Sequence, residues 1–367
     1  MVFTILFYTF VVATAIQVVY YLFFCSFVFE KKKEKNKDVN IPISVIVYIK
    51  NNADVLTEYI QHLVKQKYHS FEIVLVNNAS IDNTINILEE LQKQYTNLKI
   101  VDVKNTEAFW GNKKYALTLG VKAATYEHFL FTEIGSKTLS EDWINKMASN
   151  FSQEKSIIIG YQKLKSKKNS LNNVFIRFHH LLNSIQIFTY TKFGSPYRAT
   201  NHNLAYTKSE FFKVNGYINH VNLFIGEADL FIKDAATKIN TTYSTDINSF
   251  VSSRKKTTFK EWFSLQKKET ILISLYKKKH QFLLRLFKVS KLVFYILAIY
   301  IAVINWKIAL PVIIGYFTLQ YIVLGRATLK FQEKNVIILL PFLDICLVLL
   351  QISIFISNQI SKPKHWK

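Results

Sequence analysis

The sequence predicts an α/β domain with a parallel-rich sheet, carried between apolar helices at the two ends of the chain. Three observations predict this architecture. Short β-rich apolar runs alternate with segments of helical periodicity between residues 40 and 285. Long uncharged stretches lie near both ends of the chain. Half of the 367 residues are hydrophobic, which excludes a disordered chain because disorder requires low hydrophobicity.

The N-terminal segment carries no charged residue from Val2 to Phe29. It is long enough to cross a bilayer core of about 30 Å, which takes about 20 residues. A cleaved signal peptide is the alternative, but that interpretation requires a basic start and a shorter apolar core. A basic flank follows at Lys31, Lys32, Lys33, Lys35 and Lys37. We therefore expect a retained helix over residues 1–30, with the chain from Glu30 onward in the cytoplasm of a bacterial cell.

The central region, residues 40–285, is predicted to be a cytosolic domain of alternating strands and helices. Its strands are predicted at Ile43–Ile49, Glu72–Val76, Lys99–Val103 and His128–Thr132. Helical periodicity follows Asp54 and Asp82, each a candidate N-cap, and recurs over Tyr115–Ala124. Alternation of this kind indicates crossover units and a parallel sheet, whose ligands bind beyond the carboxyl ends of the strands.

The C-terminal region, residues 286–357, is predicted to hold two or three membrane helices. Residues 286–304 are apolar except for Lys288 and Lys291 near their start, and residues 308–324 are apolar. A short turn at 305–307 separates the two segments, which predicts a hairpin. A third apolar segment, 336–357, either spans, re-enters or lies along the interface. Asp344 within it is either a functional polar group or one that faces a helix neighbour.

The chain is strongly basic, with 47 Lys and Arg against 25 Asp and Glu, a net charge of +22. Nucleic-acid binding is one interpretation of such a balance, and an A+T-rich genome, which raises the share of Lys and Asn together, is the other. The clearest lysine clusters lie beside apolar segments, however, which favours membrane lipids as the partner and no nucleic acid. An amphipathic face near residues 175–185 is expected to dock on the sheet or the membrane, with Arg177 meeting lipid phosphate. Cys25 and Cys346 lie in apolar runs, so no disulfide framework is expected.

Seven segments of the region 40–270 carry recognisable motifs in order. They are SVIVYIKNN (Ser44–Asn52), VLVNNASIDNT (Val74–Thr84), GNKKYALTLG (Gly111–Gly120), FTEIGSKTLSEDWI (Phe131–Ile144), NLAYTKSEFFKVNGY (Asn203–Tyr217), GEADLF (Gly226–Phe231) and KEWFSLQKKE (Lys260–Glu269). Together they resemble glycosyltransferase family 2, the inverting nucleotide-sugar transferases of the GT-A fold. The resemblance implies a GT-A, Rossmann-like mixed sheet and a nucleotide-diphospho-sugar donor.

The resemblance also implies roles for individual residues. Donor-binding positions fall on Lys50, Asn51, Asn78, Ser80, Lys113, Gln266 and Lys267. In one alignment the family's base position falls on Ala228, and in the other, which keeps Asp229-Leu230 in register and is preferred, it falls on Glu227. The resemblance therefore implies Glu227 or Asp229 as the catalytic carboxylate. A carboxylate there would take the proton of the acceptor hydroxyl.

The acidic motifs depart from the family pattern. The family's two metal-binding aspartates correspond to Glu133 and Gly135, so only Glu133 offers a side-chain oxygen to Mg²⁺ or Mn²⁺. These cations prefer several oxygen ligands, which makes a divalent metal a doubtful cofactor. The sequence thus predicts a membrane-bound glycosyltransferase acting on a lipid-linked or envelope glycan acceptor. A catalytically inactive relative that serves as a binding or scaffold subunit is the alternative.

Overall fold

The structure is a computed structural model that describes residues 1–31, 40–104, 112–223, 225–253, 258–333 and 335–361. Its strands are β1 (Ile43–Ile49), β2 (Phe71–Asn78), β3 (Leu98–Val103), β4 (His128–Glu133), β5 (Ser136–Thr138), β6 (Ile157–Ile159), β7 (Gln162–Lys163), β8 (Leu204–Thr207), β9 (Thr241–Tyr243) and β10 (Val251–Ser253). Its helices are α1 (Val2–Val28), α2 (Ala53–Leu63), α3 (Thr84–Gln94), α4 (Lys113–Ala123), α5 (Trp143–Ala148), α6 (Leu171–Lys192), α7 (Lys208–Lys213), α8 (Glu227–Ala235), α9 (Phe259–Ile273), α10 (Lys278–Lys330) and α11 (Leu340–Ile360).

The larger sheet has the order β3-β2-β1-β4-β8-β6-β9 within the described ranges, and β5, β10 and β7 form a smaller one. Strand β1 pairs in parallel with β2 and β4, and β2 pairs in parallel with β3. Strand β8 runs antiparallel to both β4 and β6. The predicted α/β fold with a mixed sheet is therefore confirmed. All four strands predicted from periodicity are present, and they form the parallel half of the sheet.

The central strand β1 is apolar at nearly every position because both faces of the sheet are covered. Val45 and Val47 point to a core that also contains Leu56 of α2. The alternate residues face α4, where Gly120 approaches Val76 so closely that a Cβ at this glycine would overlap the valine side chain. A small residue is therefore required where α4 crosses β2.

The helix that follows β1 starts differently from the prediction. Asp54 was expected at its N-cap, but α2 begins at Ala53 and Asn52 holds the cap position. Asp54 lies in the first turn, where a carboxylate is favourable beside the unpaired N–H groups. Asp82 was also expected at an N-cap, but it lies one residue before the N-cap of α3, which is Asn83. The Asp82 carboxylate instead accepts hydrogen bonds from the backbone N–H groups of Ala53 (3.1 Å) and Thr84 (3.2 Å).

The chain divides into two compact units. Among the described residues, the sheet unit lies within 40–165 and 190–253, and the helical unit lies within 1–31, 166–189 and 258–361. The predicted domain bounds of 40–285 therefore differ from the structural units, since 166–189 and 257–285 group with the apolar helices. Their aromatic side chains explain the grouping: the Phe175 ring of α6 lies 5.5 Å from the Trp262 ring of α9.

In the helical unit, three helices are long and apolar enough to cross a membrane among the described residues: Val2–Val28, Lys278–Lys330 and Leu340–Ile360. The longest, α10, leaves helical geometry at Asn305, with φ −148° and ψ 82°. Its two arms then contact each other, with the Phe294 and Tyr316 rings 4.3 Å apart, so α10 is a hairpin with its turn where the sequence places it. The basic flank at residues 32–37 and the C-terminal residues 362–367 lie outside the described residues.

Two charged side chains of the helical unit have buried partners. Asp344 of α11 accepts a hydrogen bond from the Lys291 ammonium at 2.5 Å. Of the two predicted roles, a functional polar group or a group that faces a helix neighbour, the structure supports the second. Arg177 of α6 was expected to meet lipid phosphate, and that expectation is wrong. Its guanidinium is buried and pairs with the Glu333 carboxylate, which lies far away in sequence and gives no local signal.

Candidate active site

Two carboxylates and one ammonium meet at the carboxyl-terminal edge of the parallel strands. Glu133 is the last residue of β4, and its register partner on β1 is Tyr48. Lys113 is the first residue of α4, and Glu227 is the first residue of α8. The Lys113 Nζ lies 2.7 Å from Glu133 Oε1 and 3.5 Å from Glu227 Oε1. We call Lys113, Glu133 and Glu227 the Lys113 cluster.

Local sequence explains why Lys113 points into this edge. Asn112 precedes the helix as its N-cap, and its Oδ1 accepts from the backbone N–H groups of Lys114 (2.9 Å) and Tyr115 (3.2 Å). The helix therefore starts at a fixed residue. The next side chain, Lys114, is buried, and its ammonium donates to the carbonyl oxygens of Leu223 and Ile225, just before Glu227. These bonds tie the start of α4 to the segment that presents Glu227.

The ionic contacts set the charge state of the cluster. Burial alone would raise the pKa of Glu133, but the Lys113 ammonium and then His202 outweigh it and lower that pKa to about 2. Burial alone would lower the pKa of Lys113, but Glu133 and Glu227 outweigh it and raise the pKa. The cluster therefore holds a carboxylate and an ammonium, both ionised at neutral pH, in a site that is largely shielded from water.

The second oxygen of Glu133 faces a histidine. Glu133 Oε2 lies 3.7 Å from His202 Nδ1, and the same nitrogen is 3.0 Å from the Ser136 hydroxyl. Gln162 donates to that hydroxyl at 3.0 Å. Both carboxylate oxygens of Glu133 thus face nitrogen groups of the protein.

The structure separates the two candidate bases. Glu227 lies in the Lys113 cluster, whereas the Asp229 carboxylate lies 3.5 Å from Nε of Arg198. Residues two apart on a helix point about 200° apart, which explains why Glu227 and Asp229 reach different partners. Ala228, between them, is buried, and its side chain has no polar group.

The asparagine-rich strand ends form the rim beside the cluster. Asn78 is buried and donates to the Tyr48 hydroxyl at 2.9 Å, and the Lys113 ammonium lies 5.1 Å from the Tyr48 ring centre. Burial raises the pKa of the Tyr48 hydroxyl, so it stays neutral. Asn78 and Lys113, both predicted from the sequence, are thus joined through a tyrosine that the sequence did not single out.

Other predicted rim residues hold the loops together. Ser80 accepts from the backbone N–H of Asn51 at 2.9 Å and donates to Asn77 Oδ1 at 2.6 Å. Asn51 has a positive φ of 52° and its Oδ1 accepts from the Ile81 N–H at 2.9 Å. Hydrogen bonds of Ser80 and Asn51 therefore connect the loop after β1 to the loop after β2. Lys50 is exposed beside them.

Gln266 and Lys267 lie on α9, which belongs to the helical unit, whereas the Lys113 cluster belongs to the sheet unit. The Lys267 ammonium donates to the carbonyl oxygens of Ser361 (3.1 Å) and Ser357 (3.4 Å), at the end of α11. The structure therefore gives Lys267 a contact at a helix C-terminus, where a cation is favourable. The predicted contact with a donor stays a prediction.

Sequence reasoning missed four members of this site: Tyr48, Lys114, Arg198 and His202. Tyr48 and Lys114 are each adjacent or nearly adjacent to predicted residues, so the motif segments contain a signal for them. Arg198 and His202 lie just before the NLAY segment, outside the motifs. They reach the site because β8 lies beside β4, a pairing that only the three-dimensional sheet reveals.

The carboxylates do not fit a divalent cation. Within the part of the chain that the structure describes, no three His, Cys, Asp or Glu side chains are grouped as metal ligands. Gly135 has no side-chain oxygen, and the Lys113 ammonium lies between the two glutamates where a cation would have to bind. Mg²⁺ and Mn²⁺ sites are built from several oxygens.

Comparison with known proteins agrees with this geometry. Residues 44–208 match the family model described as glycosyl transferase family 2. This segment therefore resembles glycosyl transferase family 2. The matched segment contains Lys113 and Glu133 and ends just after β8, before Glu227. The resemblance to this family that the motifs predict is confirmed over residues 44–208.

Two curated proteins similar to this chain are bacterial. The chain is 30% identical over 91 residues to the glycosyltransferase GlyG of Streptococcus pneumoniae, covering 25% of this chain and 29% of that protein. It is 23% identical over 146 residues to the poly-β-1,6-N-acetyl-D-glucosamine synthase of Staphylococcus aureus, covering 39% and 34%. The match thus spans about a third of the length of each relative.

One solved structure resembles most of the chain. It is a mannosyltransferase from Pyrobaculum calidifontis in complex with GDP-Man and Mn²⁺, with a TM-score of 0.60 and 13% identity, covering 91% of this chain and all of that one. At this identity the likeness shows the fold, which confirms the predicted GT-A fold class.

Proposed function

We propose that this chain is a membrane-bound glycosyltransferase. It moves a sugar from a nucleotide-diphospho-sugar to a lipid-linked or envelope glycan acceptor, with inversion at the sugar carbon. The observation that carries the proposal is the Lys113 cluster, because it puts a carboxylate and a cation at the strand ends where open α/β sheets bind ligands. The match to the family 2 model and the nucleotide sugar of the structural neighbour support the same conclusion.

The proposed reaction is one displacement. The acceptor hydroxyl oxygen attacks the anomeric carbon, the bond from that carbon to the donor phosphate oxygen breaks, and the nucleoside diphosphate leaves with the bonding electron pair. Glu227 takes the hydroxyl proton as general base, and attack opposite to the leaving group inverts the carbon. Asp229, held by Arg198, positions the first turn of α8 that presents Glu227.

The membrane part of the proposal rests on the apolar helices. Three helices have the length and composition of membrane spans within the described residues. When the enzyme and its acceptor are anchored in the same bilayer, the local concentration of the acceptor around the enzyme is raised. We therefore propose a lipid-linked acceptor at the cytoplasmic surface of a bacterial cell membrane, with membrane lipids in contact with the helical unit.

The test uses the full chain in lipid nanodiscs with a bacterial lipid extract. Radiolabelled UDP- and GDP-sugars are supplied one at a time, and label in the lipid and glycan fractions is counted. Glu227→Gln should reduce transfer by about 10²-fold or more, because it removes the base but keeps the shape. Glu141→Gln, which alters an exposed carboxylate paired with Lys67, is the matched control and should leave transfer unchanged.

Equal transfer by Glu227→Gln and the wild-type chain would remove Glu227 from the mechanism. Absence of transfer from every donor would favour the second candidate, a catalytically inactive binding or scaffold subunit. The replacement of acidic residues at Asn78, Gly135 and Ala228 motivates that candidate. A side chain fits at Gly135, since no atom of the described residues lies within 4 Å of the position that a Cβ would take there. Transfer that appears only after Gly135→Asp and Ala228→Asp would identify a chain that has lost its activity.

A further inference from the structure

We propose that Lys113 takes the place of a divalent cation in this chain, so that its ammonium meets the donor diphosphate and neither binding nor transfer requires a metal. This inference deepens the proposed function and rests on it. It assigns the ligand class of the Lys113 cluster, a nucleoside diphosphate, and the group that neutralises it. The positive charge that neutralises the diphosphate then belongs to a lysine side chain rather than to a bound metal ion.

The first argument is position. The Lys113 ammonium contacts carboxylates from two different elements, Glu133 at the end of β4 and Glu227 at the start of α8. A metal ion that joined the same two glutamates would have to displace this ammonium, or bind beside it against charge repulsion. The two glutamates therefore already have their counter-ion.

The second argument is the supply of oxygen ligands. Glu133 Oε1 accepts from Lys113, and Glu133 Oε2 faces His202 Nδ1. Gly135, the residue two positions on, contributes no side-chain oxygen. A hard cation prefers about six oxygens, of which a diphosphate supplies only some. An ammonium needs fewer partners, because it donates three hydrogen bonds.

The third argument is charge balance. Lys114 follows Lys113, and its buried ammonium donates to the carbonyl oxygens of Leu223 and Ile225 next to Glu227. Two ammonium groups against Glu133 and Glu227 give this part of the site no net charge. A divalent cation held by two carboxylates has the same balance. The two lysines therefore provide the charge that a metal would provide, at the same edge of the sheet.

The fourth argument is access. About a quarter of the Lys113 side chain is exposed, so its ammonium reaches both the buried carboxylates and a ligand at the rim. The Tyr48 ring lies 5.1 Å from the same ammonium and restricts its position. A lysine that is held on one side and open on the other can add a hydrogen bond to a phosphate oxygen without a large rearrangement.

The test is nucleotide binding by the full chain in nanodiscs, measured by isothermal titration calorimetry with UDP and with GDP. Each titration is done in excess EDTA and in excess Mn²⁺. The wild-type chain should bind one of the two nucleotides with similar affinity in both buffers. Lys113→Met should weaken binding by about tenfold or more in EDTA, which is the effect of losing one charge-assisted hydrogen bond. Lys67→Met, which removes an exposed lysine, is the matched control and should bind like wild type.

Two further variants keep the test decisive if Lys113→Met unfolds. Lys113→Arg keeps the charge and should retain binding in EDTA. The double variant Lys113→Ala with Gly135→Asp removes the ammonium and adds an oxygen ligand, so its binding should become dependent on Mn²⁺.

Three results contradict the inference. Wild-type binding that needs Mn²⁺ would overturn the role of Lys113 while leaving the proposed function intact. Unchanged affinity of a folded Lys113→Met chain in EDTA would do the same. No binding of UDP or GDP in either buffer would overturn the proposed function itself, and the inference with it.

Discussion

Removal of the Asp344 carboxylate should destabilise the helical unit by about 3–5 kcal/mol, the cost of breaking a buried ion pair from one side. The structure gives the reason for this magnitude. Asp344 and Lys291 are fully buried, and Asp344 Oδ1 lies 2.5 Å from Lys291 Nζ. The other carboxylate oxygen accepts from Tyr295 (2.7 Å) and Gln320 (3.0 Å). Asp344→Asn would leave the Lys291 ammonium without a counter-charge between apolar helices.

Equilibrium unfolding in mixed micelles of increasing SDS content, followed by far-ultraviolet circular dichroism, measures this loss. The double variant Lys291→Met with Asp344→Leu should recover part of the stability, because no charge is then buried. Recovery stays incomplete, since the Tyr295 hydroxyl loses its acceptor. Ile345→Val, at an exposed neighbouring position, should change stability by no more than about 0.5 kcal/mol. Equal stability of Asp344→Asn and Ile345→Val would refute the reasoning.

Three further predictions concern the sheet unit. Gly120→Ala should cost about 1–3 kcal/mol, because its Cβ overlaps the Val76 side chain, and Val76→Ala in the same chain should reduce that cost, measured by chemical denaturation. Burial lowers the pKa of Lys114 to about 8, so the unfolded chain binds more protons between about pH 8 and 10.4. The free energy of unfolding should therefore rise with pH over this window, and it should rise less in Lys114→Met. Thermal unfolding at several pH values measures both. An identical pH dependence of stability in the two chains would contradict the burial of this ammonium. Asp229→Asn, which weakens the pair with Arg198, should lower kcat more than it raises KM, and a change in KM alone would exclude a positioning role.

Local signals predicted the parallel half of the fold. The apolar runs of β1 and β2 and the helical spacing after them are properties of neighbouring residues, and the structure places these elements as expected. Helix starts were harder, because capping depends on which loop side chain reaches the free N–H groups. Asn52, not Asp54, precedes α2, and the Asp82 carboxylate serves two loops at once.

The site was predicted in part for the same reason. Lys113, Glu133 and Glu227 lie in motif segments, so each was a candidate before the structure joined them. Arg198 and His202 reach the site only through the pairing of β8 with β4. Contacts of this kind join residues far apart in sequence, and no periodicity or spacing in a single sequence reports them.

The most direct test of the account is a cryo-electron microscopy structure of the full chain with UDP or GDP, whichever binds in EDTA. The account predicts density for the diphosphate within about 4 Å of the Lys113 ammonium, the range of an ion pair, with Glu227 beside it. A nucleotide bound elsewhere, or the strand-end site filled by the chain's own side chains, would contradict the assignment of the Lys113 cluster as the donor site.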